Sequence, residues 1–222
     1  MKNLHNISKV GVYHLLHSME ISDRVSGEWV RSNVFCVRIA DGSSSSALQS
    51  IGADTCVRES ISFFKDNYSP DFFTDNRLEE FLDYIKQKLR IEAKKYGASV
   101  NGLDSTITVV IIESDLQRFN YISAGTEAIL KVTDENEIRI ICGAPEENSI
   151  NGETYTFGRH STKDLKSVIV ATDGLFQQMY KVSDIQEPYK TFIINNDPKS
   201  LLDTVGDSLF YDDATMVYIE LE

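Results

Sequence analysis

Val37-Arg38-Ile39-Ala40-Asp41-Gly42-Ser43-Ser44-Ser45-Ser46 is a β-rich run that stops on an Asp-Gly pair and passes into four serines. Together with Val34 and Cys36 upstream, it reads as a strand ending in a tight turn, with one carboxylate held at the tip. Two later stretches repeat the theme. Val168-Ile169-Val170-Ala171-Thr172-Asp173-Gly174 is a second apolar run that ends in Asp-Gly, and Asp212-Asp213 stands just before the closing β-rich run Met216–Leu221. Carboxylates at strand ends far apart in sequence can meet at one sheet edge, and once gathered they repel unless a cation neutralises them. The residues alone therefore point to a divalent-metal site. Asp41 and Asp173 follow strands while Asp212 precedes one, a combination that can bring all three to one edge of an antiparallel sheet.

Outward from that stretch, residues 24–40 read as two strands with a turn near Ser32-Asn33, and residues 7–15 alternate well enough for a first strand. After Asp41 the period changes. From about Ser46 to Phe64 the apolar positions form a helical stripe, broken by Lys65–Pro70. Leu78, Phe81, Leu82, Ile85 and Leu89 mark one face of a second helix from about Arg77 to Tyr96, with Gly97 as its terminator, and this helix is expected to pack on a sheet. Thr106–Ile112, Phe119–Ala124, Ala128–Val132 and Ile138–Cys142 follow at hairpin spacing and read as an antiparallel meander. A polar loop over 144–153, strands at Thr154–Phe157 and Val168–Ala171, and short helices from Gly174 and over Ser200–Leu209 complete the chain. The layout is α+β, helices packed on antiparallel sheets, in a single domain over 1–222.

Composition narrows the function classes. With 222 residues, 41% hydrophobic and 25% charged, the chain is long enough for one substantial core. Its net charge of −12 argues against a nucleic-acid partner. No apolar run approaches the roughly 18 residues of a membrane span, and the N-terminus lacks the apolar core of a signal peptide, so a cytoplasmic protein without a membrane partner is expected. Cys36, Cys56 and Cys142 are odd in number and far apart, which fits buried hydrophobes better than disulfides or zinc. His5, His17 and His160 have no partner at metal-binding spacing.

The motifs, in order, resemble those of the metal-dependent protein phosphatases, the type 2C (PPM) family, in its small bacterial form. Val10–His14 followed by Ile21-Ser22-Asp23 resembles the opening motif, and Asp41-Gly42 the Asp-Gly signature. Asp104–Thr108 takes the place of the Thr-Thr strand start, and Ile122–Glu127 that of the Gly-Asp-Ser/Gly turn. Ala171–Leu175 resembles Ser-Asp-Gly-Leu, and Asp212–Thr215 the terminal Asp-Asn/Asp-x-Thr. A lone Asp-Gly is an ordinary turn; six motifs in order across the chain are far more specific.

The resemblance implies an αββα sandwich, two antiparallel sheets face to face and flanked by helices, with two Mn²⁺ or Mg²⁺ ions at one end. By position, Asp41 bridges the metals, Gly42 adds its carbonyl, Asp173 and Asp212 hold the first metal, and Asp23 acts on the second. The implied activity is hydrolysis of phosphoserine and phosphothreonine in proteins by a water shared between the cations, with a Ser/Thr kinase system as counterpart. The chain also departs from the family pattern. Thr126 stands where an acidic third-metal ligand is usual, with Glu127 beside it, and Ser22 replaces a Glu or Gln. The phosphate-gripping arginine has no counterpart; His14 is the first candidate for that contact, before Arg24 and His17. These departures motivate an alternative, a catalytically weak relative serving as a regulatory or binding module.

Overall fold

Strand pairing, rather than local propensity, decides how the chain is divided. The computed structural model describes residues 3–43, 46–143, 150, 154–181, 184–204 and 212–221. Ser44 and Ser45 of the serine run, nearly all of the 144–153 loop and the end of the Ser200–Leu209 helix lie outside the described residues. The chain folds as two compact units, each assembled from separate stretches: Met1–Asp23, Glu127–Pro145 and Asp164–Glu222 form the first, Arg24–Thr126 and Glu146–Lys163 the second.

In the first unit, β1 (Leu4–Lys9) is followed by the short helix α1 (Val12–Leu16). The strand expected over 7–15 therefore ends early. Its ladder with the last strand stops at Lys9, opposite Ala214, and Leu15 N–H donates to Gly11 O at 3.0 Å to start a helical turn. Leu15 and Leu16 are exposed, so the apolar alternation there was not a buried face.

The second unit opens with the hairpin β2 (Arg24–Arg31) and β3 (Val34–Ala40), as expected. Two helices follow, α2 (Gln49–Asn67) and α3 (Asp75–Lys95). The predicted stripe of α3 is buried, and Gly97, at φ +63, closes it in the left-handed conformation that favours glycine. It is α2, however, that lies along β2 and β3; α3 packs mainly on α2. Phe63, Phe64, Phe72 and Phe81 join the core that these helices form with the sheet. Four buried aromatics at about 1.5–3 kcal/mol each make this a substantial share of the unit's stability.

The sheet of the second unit continues with β4 (Ile107–Glu113) and β5 (Arg118–Ala124). Every residue of β3 and β4 is buried, which is why both read as continuous apolar runs. The expected meander is then interrupted. β6 (Ala128–Thr133) and β7 (Ile138–Cys142) belong to the first unit, where β6 pairs with β9 (Leu165–Ala171). The strand that joins β5 is β8 (Thr156–Ser161). Short-range hairpin spacing did not separate these pairings, since each apolar run is compatible with either sheet.

The remaining elements all belong to the first unit. They are α4 (Asp173–Met179), the two-residue strands β10 (Tyr180–Lys181) and β11 (Asp184–Ile185), α5 (Tyr189–Ile194), α6 (Pro198–Thr204) and β12 (Ala214–Glu220). The first unit's sheet runs β1-β12-β9-β6-β7 and the second's β2-β3-β4-β5-β8, all antiparallel. Leu130, Ile169, Leu175, Met179, Ile193, Leu201 and Met216 form the first unit's apolar core. Two antiparallel sheets with flanking helices are the α+β class expected. Among the described residues, no helix is long and apolar enough to cross a membrane.

Candidate metal centre

Neighbouring antiparallel strands bring two of the expected ligands together. β9 ends at Ala171, opposite Met216 of β12, so the residues just past β9 and just before β12 share one end of the sheet. Asp173, the first residue of α4, and Asp212, just before β12, place carboxylate oxygens within 4.8 Å of each other. Such a separation is repulsive for two anions and suits a hard cation between them. Both side chains are partly exposed.

Glycines let the backbone close around this point. A Cβ on Gly174 would lie 2.1 Å from the Asp213 carbonyl oxygen, and one on Gly11 would lie 2.3 Å from the Asp212 carbonyl carbon. The Asp212-Asp213 segment thus passes between two positions that only glycine fills without displacement.

Asp213 has a different task from its neighbour. Fully buried, its Oδ1 accepts the Gly11 N–H at 2.8 Å, and its Oδ2 accepts the Ser22 N–H at 2.5 Å and the Ser22 hydroxyl at 3.0 Å. One carboxylate therefore ties the start of β12 to the two ends of the α1 segment. Ser22, in the place of the family's Glu or Gln, uses its hydroxyl on this anchor.

His14 sits in the same cluster, on α1 rather than on a strand as the alternation implied. It is 1% exposed, with Nδ1 2.8 Å from Asp213 Oδ2. That burial and that contact make it a positioning residue for the Asp212-Asp213 segment; they do not support the expected contact with substrate phosphate. Of the other candidates for that contact, His17 is exposed, with Nδ1 2.8 Å from its own helix's Tyr13 carbonyl, and Arg24 begins β2 in the second unit.

Asp23 is 4% exposed, and its Oδ2 accepts the Thr172 hydroxyl at 3.1 Å. Thr172 is the hub that the sequence reading missed. Its N–H donates to Thr215 O at 2.9 Å, and its Oγ1 accepts the Thr215 N–H at 2.9 Å. The same buried threonine thus locks the ends of β9 and β12 together and orients Asp23. A threonine directly before an Asp-Gly helix start was its only signal in the sequence.

Asp41 and Gly42 lie in the second unit, where β3 ends. Their backbone is fixed by the Asp104-Ser105-Thr106 motif. Asp41 N–H donates to Thr106 Oγ1 at 2.8 Å, Thr106 N–H to Asp41 O at 2.8 Å, and the Ser105 hydroxyl to Asp41 O at 2.7 Å. Gly42 bridges to Ser105, and a Cβ on it would lie 2.3 Å from the Gln49 carbonyl oxygen at the start of α2. Asp41 is thereby held at the strand tip, 9% exposed. Thr126, at the usual third-metal position, is partly exposed, and Glu127 is buried.

The family model described as protein phosphatase 2C matches residues 10–204. The chain belongs to the protein phosphatase 2C family. No curated protein sequence matches it. Among solved structures, it is similar to the serine/threonine phosphatase Stp1 from Staphylococcus aureus, with a TM-score of 0.78 at 12% identity over 100% of this chain and 96% of that one. The S. agalactiae serine/threonine phosphatase matches with a TM-score of 0.69 at 16% identity, covering 99% of both chains. RsbX, solved in complex with magnesium, matches with a TM-score of 0.60 at 17% identity, over 99% of this chain and 94% of that one. At these identities the structural likeness concerns the fold, which this phosphatase-family chain shares from end to end.

Proposed function

We propose that this protein is a metal-dependent phosphatase that hydrolyses phosphoserine and phosphothreonine in proteins. The observation that carries the reading is the Asp173–Asp212 pair, brought within 4.8 Å at the ends of adjacent strands in a chain matched by the protein phosphatase 2C family over residues 10–204. The ligands assigned are Asp23, Asp173 and Asp212, with Asp41 and the Gly42 carbonyl added on their motif. All are oxygen donors, the set that Mn²⁺ or Mg²⁺ prefers, and two such ions are the cofactors proposed. Divalent cations held there would make a shared water acidic and neutralise charge on a phosphoryl group.

The protein's own residues do the positioning. Asp213 fixes Asp212 from the neighbouring position, with Gly11, Ser22 and His14 around its carboxylate. Thr172 orients Asp23 while joining β9 to β12. Ser105 and Thr106 hold the Asp41 backbone at the end of β3. None of these groups must serve as a nucleophile, so a covalent phosphoenzyme is not part of the reading. The 1–222 chain is proposed as one catalytic domain, cytoplasmic, with a Ser/Thr kinase system as its counterpart.

The test is hydrolysis of an aryl phosphate and of a phosphoserine peptide, with and without Mn²⁺, by wild type and Asp173→Asn. The expected result is Mn²⁺-dependent turnover of both by the wild type and none by the variant. Absence of turnover on either substrate in a folded, Mn²⁺-loaded wild type would overturn the enzyme reading in favour of a binding module.

A further inference from the structure

The α1 segment carries an apolar face that the metal centre does not use. From Val10 to Met19 the chain has no Asp, Glu, Lys or Arg, although 25% of the whole sequence is charged. Leu15 and Leu16 stand side by side, 60% and 77% exposed, and Met19 is 37% exposed. Ser18, at φ +55, turns the chain back, and Met19 N–H donates to His14 O at 2.8 Å, which returns Met19 to the same helix. A single exposed leucine needs no explanation. Three large apolar side chains gathered on one short segment form a patch, and such patches mark contact sites.

This patch is fastened to the proposed metal centre within the first unit. One carboxylate holds both ends of the segment, since Asp213 accepts the Gly11 N–H at 2.8 Å and the Ser22 N–H at 2.5 Å. His14 turns inward to the same carboxylate and leaves Leu15 and Leu16 turned outward. A Cβ on Gly11 would lie 2.3 Å from the Asp212 carbonyl carbon, so α1 starts beside Asp212 itself. At about 1.5 Å per residue, Leu15 and Leu16 follow about 6–8 Å further along the helix. An extended chain covers about 3.3 Å per residue, so two to four residues span that distance.

We propose that this patch selects the substrate's sequence: phosphoproteins with an apolar residue two to four positions from the phosphoserine or phosphothreonine. The inference rests on the phosphatase reading above and adds to it the class of flanking sequence. With no charge in the segment, the patch favours apolar flanks over charged ones. The clamp at both ends argues for substrate rather than for a second copy or a membrane. Neither of those requires the contact surface to be fixed to the residue beside a metal ligand, whereas a substrate gains from a surface already in place around its reacting group.

The experiment measures hydrolysis, with Mn²⁺ present, of a Gly/Ser-based phosphoserine peptide and of versions with one Leu at each position two to four residues away on either side. An aryl phosphate serves as the substrate without flanks. At least one Leu placement should raise kcat/KM about tenfold, mainly through KM, as expected for one leucine partly buried on binding. The double variant Leu15→Ser/Leu16→Ser should erase that gain, while turnover of the aryl phosphate and of the peptide without Leu stays within about twofold of wild type. Leu16→Ser alone, at the most exposed position, keeps the test valid if the double variant misfolds. Absence of turnover on every substrate would sink the phosphatase reading, and this inference with it. Turnover with no preference for Leu, or a preference that survives in both variants, would overturn this inference alone. So would a patch occupied otherwise: a dimer in sedimentation velocity, or binding to phosphatidylglycerol vesicles, that the leucine variants abolish.

Discussion

Asp212 and Asp213 are adjacent acids with opposite expected responses to the same substitution. In Asp213→Asn, the amide keeps one acceptor oxygen. If that oxygen stays on the Gly11 N–H, the new NH₂ group faces the Ser22 N–H, so the 2.5 Å bond is lost and two donors confront each other. Hydrogen bonds to a charged group contribute about 1.5–3 kcal/mol each, and rotation of the Ser22 hydroxyl recovers part of the loss. The net cost is about 2–4 kcal/mol. For a chain of this length that lowers Tm by about 4–16 °C. In Asp212→Asn, the hydrogen bond at stake among the described residues is the Asp213 N–H donated to Asp212 Oδ1 at 2.8 Å, which an amide oxygen also accepts. Removing one of two facing anions offsets the remainder, so its Tm should stay close to wild type. The assay is thermal unfolding by circular dichroism in a chelator, so that bound metal does not contribute, followed by Mn²⁺ titration. Asp212→Asn should lose Mn²⁺ affinity at wild-type stability, and Asp213→Asn should lose stability first. A stable Asp213→Asn beside a destabilised Asp212→Asn would refute the division of labour.

Three further outcomes follow from the same structure. Gly174→Ala places a Cβ 2.1 Å from the Asp213 carbonyl oxygen and should cost about 1–3 kcal/mol in denaturant unfolding while weakening Mn²⁺ binding. Glu113 is buried, which raises its pKa, but Arg118 first, then Tyr68 and Asn120, outweigh burial and hold it below the usual carboxylate value. Its folded-state pKa is depressed, so its contribution is full above the unfolded value of about 4.3 and is lost as pH falls through the folded value. Glu113→Gln should therefore cost about 3 kcal/mol at neutral pH and flatten the stability profile below about pH 4, as read from urea unfolding across that range. Gly97→Ala puts a side chain at φ +63 and should lower stability by about 1 kcal/mol with activity intact, as urea unfolding and turnover measured together would show.

The sequence determined the parts whose cause is local. The stripe Leu78–Leu89 made α3, Gly97 stopped it, and the β2–β3 hairpin followed from two apolar runs around Ser32-Asn33. The acidic strand tips were legible too, because Asp-Gly after an apolar run is a local signal. The tertiary structure decided what depended on long-range pairing. β6 left the meander for β9, and β12, the last strand, entered between β1 and β9. That insertion, made from opposite ends of the chain, is what sets Asp212 beside Asp173, while Asp41 follows β3, a strand of the other sheet. It also assigned Asp213 to Gly11 and Ser22, across about two hundred residues of sequence, and made Thr172 the hub for Asp23. Two adjacent aspartates look alike in sequence. Only the partners that the fold brings to each oxygen separate an anchor from a ligand.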